Sequence, residues 1–121
     1  MEDDLEESQA LQLEEFPGGL VVRCLESEVT MFILPDIRMT LMEALASQPK
    51  AVILDFAETS FLDSSGVALL FKLQNDIHKY GGRFAVTGLR SSLRRVLAAV
   101  IRNNEIHLFD TLEDAKRELA S

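Results

Sequence analysis

The sequence predicts a single α/β domain in which a β-hairpin precedes alternating helices and parallel strands of one mixed sheet. Three observations support this class. The chain of 121 residues has the size of one domain and is 47% hydrophobic, enough for one buried core. Two short strands around a Pro-Gly-Gly turn come first, and helical and extended patterns then alternate. Right-handed crossovers lay such strands in parallel beneath the helices.

The hairpin is predicted from two apolar strands that flank a turn. In residues 11–16 apolar side chains alternate with polar ones, and a second apolar run spans residues 20–25. Pro17-Gly18-Gly19 supplies the turn between them, so the two strands are expected to be antiparallel. The only cysteine, Cys24, lies in the second run and is expected to be a buried core residue.

A helix and a buried strand follow the hairpin. Pro35 suits the first turn of a helix, Asp36 is favourable beside it, and the helix must end before Pro49. Its inward side chains are predicted to be Ile37, Leu41, Ala44 and Leu45. The run from Ala51 to Leu54 is short and continuously apolar, which is typical of a central parallel strand covered on both faces.

The second helix begins after a loop and carries a long apolar stripe. Either Asp63 or Ser64 can cap its first turn, and Gly81-Gly82 ends it, because the terminal turn needs a positive φ. The side chains predicted to face inward are Val67, Leu70, Leu73, Ile77 and Tyr80.

The third helix follows a strand predicted over residues 84–86. Ser91 or Ser92 is expected to cap the helix, and Asn103-Asn104 can adopt the left-handed conformation that ends it. The side chains predicted to face inward are Leu93, Val96, Leu97, Val100 and Ile101.

A short strand over residues 106–109 and a last helix complete the domain. Thr111 starts that helix, with Asp114 three residues later in a pattern close to a capping box. Its inward side chains are predicted to be Leu112, Ala115 and Leu119. Residues 1–8 contain five acidic residues and no basic one, so they are predicted to be a disordered acidic tail before a domain that spans residues 9–121.

Charge is distributed unevenly along the chain. The net charge is −8, yet the segment 72–102 holds seven basic residues and one acidic residue. This basic segment is either a docking surface for an acidic partner or a set of solvated helix faces. Nucleic-acid binding is not expected, because the protein as a whole is acidic and few aromatic residues accompany the basic ones.

The sequence gives no sign of export or of membrane insertion. No apolar run reaches the roughly 18 residues of a membrane span, and the N-terminus is acidic where a signal peptide would be basic. A single cysteine also excludes an intrachain disulfide. We therefore expect a cytoplasmic protein and, by default, a monomer.

The candidate functional residue is Ser65, within Phe61-Leu62-Asp63-Ser64-Ser65-Gly66. This segment opens a helix, and a helix N-terminus favours an added phosphate. Ser64 and Ser65 could be cap residues only, but one cap needs one hydroxyl. Asp63 could orient the Ser65 hydroxyl or cap the helix itself. Ser65 is expected to be exposed, with Gly66 leaving the backbone uncrowded.

Enzyme activity is not expected, because each constellation of catalytic residues is incomplete. The segment lacks the Gly-x-Ser-x-Gly pattern of a serine hydrolase. His78 would lie about 20 Å along the helix from Ser65 at 1.5 Å per residue, and His107 alternates with apolar residues in a strand. Asp55 is interpreted as a polar strand end. No phosphate-binding loop, cofactor motif or metal-ligand spacing is present, so no cofactor and no metal are expected.

From about Leu11 to Leu119 the chain resembles the STAS domain, the fold of bacterial anti-sigma factor antagonists. The resemblance is strongest in the strand ending at Asp55 and in the Asp63-Ser64-Ser65-Gly66 loop and helix after it. Gly81-Gly82 before a strand and the stretch from Leu108 to Ala115 also resemble family positions. The spacing of these segments makes the resemblance more specific than the short loop motif alone.

The resemblance implies partner switching. The unmodified protein would bind an anti-sigma factor, usually a serine kinase, and so free a sigma factor for transcription. The kinase would phosphorylate Ser65, the hydroxyl residue just before Gly66, and the complex would dissociate. A PP2C-type phosphatase would restore the active form. Asp63 and Ser64 would lie in the recognised loop.

Two departures from the family pattern stand out. Many relatives carry Gly-Glu-Leu-Asp where this chain has Ser27-Glu28-Val29-Thr30, so Thr30 replaces an acidic residue near the loop. In addition, Asn103-Asn104 replaces a Gly that ends a helix in the family. The Thr30 departure and the basic helix faces favour an alternative hypothesis, a constitutive STAS assembly subunit, such as one that docks on a lipid-transport ATPase or in a larger signalling complex. Its predicted docking residues are Arg94 and Arg95.

Overall fold

The computed structural model describes residues 10–101 and 106–120. Within these residues the chain forms seven strands and four helices. The strands are β1 (Leu11–Phe16), β2 (Gly19–Cys24), β3 (Glu28–Val29), β4 (Ala51–Asp55), β5 (Phe61–Leu62), β6 (Arg83–Thr87) and β7 (His107–Phe109). The helices are α1 (Leu34–Leu45), α2 (Ser64–Lys79), α3 (Ser91–Val100) and α4 (Leu112–Leu119).

Five strands form a mixed sheet in the order β1-β2-β4-β6-β7. The hairpin pair β1–β2 is antiparallel, and β2, β4, β6 and β7 pair in parallel. This confirms the predicted fold class. All five residues of β4 are buried, as expected of a strand with a neighbour on each side and helices on both faces.

Two hydrophobic clusters lie on opposite faces of the sheet. Val22, Val52 and Val86 pack in the larger cluster with α1, α2 and α3. Val21 and Ile53, the alternate positions, pack in the smaller cluster with α4. The two-residue period of the strands therefore divides the apolar side chains between the two helical layers.

Two predicted features of α3 are wrong. Arg90 occupies the N-cap position with no side-chain cap, and both candidate serines lie inside the helix. Val96 and Val100 are 52% and 46% exposed instead of facing inward. Of this helix only Leu93 and Leu97 are buried, so the buried face of α3 is narrower than its apolar stripe.

The other predicted elements have mixed outcomes. The short parallel pair β3–β5 was not predicted. Cys24 is buried, and Thr111 caps α4 by accepting a hydrogen bond from the Asp114 N–H, as predicted. The predicted acidic tail and Asn103-Asn104 lie outside the described residues. Of the helices described, none has the length and apolar character needed to span a membrane.

The end of α2 confirms the role predicted for Gly81-Gly82. Gly81 has a φ of +87°. Its N–H bonds to the carbonyl of His78, and the N–H of Gly82 bonds to the carbonyl of Ile77, each at 2.9 Å. This paired arrangement is a Schellman motif, which satisfies the last carbonyl groups of the helix.

Gly81→Ala is expected to lower the free energy of unfolding by about 1–2 kcal/mol, because an L-residue is strained in the left-handed region. Apart from its chain neighbours, no atom lies within 4 Å of the Cβ that Ala would add, so the loss does not come from a clash with the rest of the fold. Urea unfolding followed by circular dichroism measures it. Gly81→Asn is the control and should lose less, since Asn tolerates this region; equal losses would contradict the explanation.

Candidate functional site

The loop around Ser65 lies at the carboxyl edge of the sheet. After β4 the chain forms β5, which pairs in parallel with β3. The pairing extends to the N–H of Asp63, which donates to the carbonyl of Val29 at 3.0 Å. This short ladder fixes the entry to α2 against the segment that leads into α1.

Asp63 is the N-cap of α2 and also holds the Ser65 hydroxyl. Its Oδ1 accepts the Ser65 Oγ–H at 2.6 Å and the Gly66 N–H at 3.0 Å. Its Oδ2 accepts the Met31 N–H at 3.0 Å. The bond from the Ser65 hydroxyl, followed by that from the Gly66 N–H, lowers the pKa of the Asp63 carboxyl below its ordinary value. Asp63 therefore both caps the helix and orients the hydroxyl.

Ser64 and Ser65 differ in exposure. Ser64 is exposed, whereas Ser65 is half-buried, so the expectation that Ser65 is exposed is only partly met. Because Asp63 provides the cap, neither serine is needed for that purpose. The Ser65 Oγ lies in a part-buried position and directs its proton at the Asp63 carboxylate.

Gly66 allows the segment after β3 to approach the start of α2 closely. It is buried, and a Cβ at this position would lie 3.3 Å from Val29 Cγ1 and 3.4 Å from the Val29 carbonyl oxygen. The expectation that Gly66 leaves the backbone uncrowded therefore needs correction, because Val29 fills the space that a side chain would take.

Thr30 directly follows β3 and ends the ladder beside Asp63. Its Oγ1 accepts the Phe32 N–H at 3.3 Å, and its carbonyl accepts the Ile33 N–H at 3.1 Å. The structure thus gathers all five residues predicted for the site: Thr30, Asp63, Ser64, Ser65 and Gly66. Thr30 therefore supplies local turn bonds to the segment that leads into α1.

Sequence reasoning missed an apolar surface next to this loop. Met31 and Phe32, which we call the apolar turn, are 63% and 86% exposed, and Phe61 in β5 is 48% exposed. Contiguous exposed apolar side chains mark interaction surfaces, whereas single exposed ones are ordinary. A signal for it was present, since Met31 and Phe32 lie between the end of a strand and Pro35, where no core stripe requires them.

The Asp55 carboxylate lies at the end of β4 and is held by hydrogen bonds within the fold. Its Oδ2 accepts a hydrogen bond from Arg23 Nε at 3.2 Å, and its Oδ1 accepts the Ala57 N–H at 3.0 Å. These contacts fit the interpretation of Asp55 as a polar strand end. Across the described residues no group of three or more His, Cys, Asp or Glu could hold a metal ion.

The basic segment is partly neutralised by neighbouring acids. Arg94 pairs with Asp110 at 3.0 Å, and Lys72 pairs with Asp76 at 3.1 Å. Exposed pairs of this kind are worth about 0–1 kcal/mol. Arg95 is exposed beside Val96 on the outer side of α3.

The pKa of the Asp63 carboxyl provides a test of the site geometry. Ser65→Ala should raise this pKa towards its ordinary value, because the hydroxyl is the largest cause of the shift. Ser64→Ala is the matched control and should leave the pKa unchanged. The carboxyl carbon signal in an NMR pH titration measures it, and equal pKa values in the wild type and Ser65→Ala would exclude the hydrogen bond.

The sign of this effect on stability follows from the lowered pKa. The Asp63 contribution to folding stability is fully present above the pKa of the unfolded chain, about 4. It is lost as the pH falls through the lower pKa of the folded protein. Ser65→Ala should therefore make the free energy of unfolding depend less steeply on pH below about pH 4. Near neutral pH the dependence of this free energy on pH should stay unchanged.

Solved structures with this fold include proteins from the sigma-factor regulatory systems. An anti-sigma factor antagonist from Mycobacterium paratuberculosis is 25% identical with a TM-score of 0.81, covering 92% of this chain and 93% of that one. The Bacillus cell fate determinant SpoIIAA in its phosphorylated form is 25% identical with a TM-score of 0.68, covering 90% and 98%. RsbS from Moorella thermoacetica, at 14% identity, shows likeness of fold alone, with a TM-score of 0.75 and coverage of 93% and 95%.

The sequence itself matches one family over most of its length. The STAS domain family model matches residues 10–115. The matched range includes the sheet from β1 to β7, the helices α1 to α3 and the Ser65 loop. Because this match spans well over half of the chain, the protein belongs to the STAS domain family.

Proposed function

We propose that this protein is an anti-sigma factor antagonist that binds an anti-sigma factor of the serine-kinase type and is switched off by phosphorylation of Ser65. One observation carries the proposal. The Ser65 hydroxyl lies in the first turn of α2, is half-buried, and donates a hydrogen bond to Asp63 at 2.6 Å. The likeness to antagonists of 25% identity supports the same role.

A phosphate on Ser65 would be compatible with the fold. It adds about −1.5 to −2 charges at neutral pH, and the N-terminal end of a helix offsets such charge by about 0.3–1 kcal/mol at an exposed site. The residue lies outside both hydrophobic clusters. Modification would therefore change the surface of the protein and leave its core intact.

The same phosphate would disrupt a partner interface that is matched to a neutral serine. Burying an unpaired charge costs several kcal/mol, which is a large part of the binding free energy of a regulatory complex. Asp63, Ser64, Gly66 and Thr30 lie around Ser65 and would share this interface. Loss of affinity would then follow directly from the position of Ser65.

The modification cycle needs two further proteins. A kinase would transfer the γ-phosphoryl group of ATP to Ser65 Oγ, with loss of the hydroxyl proton and release of ADP. A PP2C-type phosphatase would hydrolyse the phosphoserine and regenerate the binding form.

We expect the protein to act in the cytoplasm as a monomer, with residues 1–8 as an acidic tail before the domain.

Ser65→Asp is expected to abolish binding of the partner, and Ser65→Ala to preserve it. Wild-type protein and both variants serve as baits in a lysate of the organism of origin, and the retained proteins are identified by mass spectrometry. A kinase-like ATPase retained by the wild type and Ser65→Ala but lost with Ser65→Asp would establish the switch. Circular dichroism of each bait controls for folding.

A different outcome would favour the assembly-subunit hypothesis. If all three baits retain the same partner, Ser65 does not control binding. A transporter ATPase as that partner would identify a constitutive subunit. In that case reversing the charges of Arg94 and Arg95 should abolish the interaction, because Arg95 is exposed on α3 and Arg94, which pairs with Asp110, is half-buried next to it.

A further inference from the structure

The backbone of the apolar turn, Met31–Phe32, is held at three points. Thr30 accepts hydrogen bonds from the Phe32 N–H with its hydroxyl and from the Ile33 N–H with its carbonyl. Asp63 accepts the Met31 N–H. The turn therefore presents two exposed apolar side chains on an ordered backbone, and little conformational entropy is lost when a partner covers them.

The surroundings of the apolar turn indicate the chemistry of what covers it. Glu28, just before the turn, and Asp36, in the first turn of α1, are both exposed. Phe61 adds apolar area from β5, the strand that pairs with β3. An apolar centre with acidic residues at its rim complements an apolar hollow with basic residues around it.

Asp63 connects the apolar turn to Ser65. One of its oxygens accepts the Ser65 hydroxyl and the Gly66 N–H, and the other accepts the Met31 N–H. Phosphorylation removes the hydroxyl proton and places a dianion within hydrogen-bond distance of the carboxylate. Two such anions repel each other, and a rotation of the Asp63 carboxylate away from the phosphate would break its bond to the Met31 N–H.

We propose that the apolar turn anchors the partner in an apolar hollow with a basic rim, and that Asp63 ties the position of this anchor to the phosphorylation state of Ser65. The inference rests on the proposed function, because the partner is the one that recognises the Ser65 loop. Phosphorylation then acts twice, by adding charge at the interface and by releasing the anchor.

The coupling is tested on the isolated protein by NMR, without any partner. Phosphoserine is incorporated during synthesis at position 65 or, as the control, at position 64, where the side chain is exposed. The Met31 amide should exchange with solvent faster with phosphoserine at position 65, because it loses its acceptor. It should exchange as in the wild type with phosphoserine at position 64.

Two variants complete the NMR experiment. Ser65→Ala removes the hydroxyl without adding charge, so Asp63 keeps its bond to Met31 and the exchange rate stays at the wild-type value. Asp63→Ala removes the acceptor and should accelerate exchange at Met31 as phosphoserine does. An exchange rate at Met31 that is unchanged by phosphoserine at position 65 would overturn the coupling.

The anchor is tested with the same lysate baits as the switch. Phe32→Ser should lose the protein that wild type retains and Ser65→Asp releases. Met42→Ser, a matched control on the outer side of α1 with 74% exposure, should retain it. Equal retention by both variants would overturn the anchor while leaving the switch at Ser65 intact. If no protein is sensitive to Ser65→Asp, the proposed function fails, and the NMR experiment still decides the coupling.

Discussion

The central strand β4 is the element on which the arrangement of the molecule depends. All five of its residues are buried, and it pairs in parallel with both β2 and β6. Helices must therefore cover both faces, and polar groups are confined to the ends of the strand. At the carboxyl end Asp55 is neutralised by Arg23, and the chain leaves the sheet to form the loop that carries Ser65. The position of the candidate site follows from the burial of this strand.

Asp63 connects the segment after β3 to the start of α2 at the carboxyl edge of the sheet. A carboxylate with three hydrogen-bond donors from Met31, Ser65 and Gly66 joins two segments that are 32 residues apart in sequence. It satisfies an N–H of the first turn of α2 and sets the direction of the Ser65 hydroxyl. The Asp63 side chain thus stabilises α2 and also orients the Ser65 hydroxyl. Because a substitution of Asp63 changes both, its effect is harder to interpret than the effect of a Ser65 substitution.

Much of this architecture is predictable from sequence because its signals are local. The continuous apolar run of β4, the glycines that end α2 and the Thr111 cap each act within a few residues. The pair β3–β5 was not predicted, because two-residue strands leave no periodic pattern in the sequence. Val96 and Val100 were misplaced because the apolar period of a helix does not tell how wide its buried face is. The bond between Asp63 and Met31 depends on tertiary contact, which no local pattern reveals.

Ser65 Oγ lies only 2.6 Å from Asp63 Oδ1. This distance affects how closely an acidic residue at position 65 mimics phosphoserine. The carboxylate introduced by Ser65→Asp would share its surroundings with that of Asp63, and two neighbouring carboxylates raise the pKa of one of them. The pair would titrate jointly and bind a proton more readily than an isolated Asp does. Phosphoserine, whose second ionisation is near pH 6, carries more charge at the same place. Near neutral pH the acidic variant therefore carries less negative charge at this position than the modified protein, and it reports only part of the electrostatic change that phosphorylation makes.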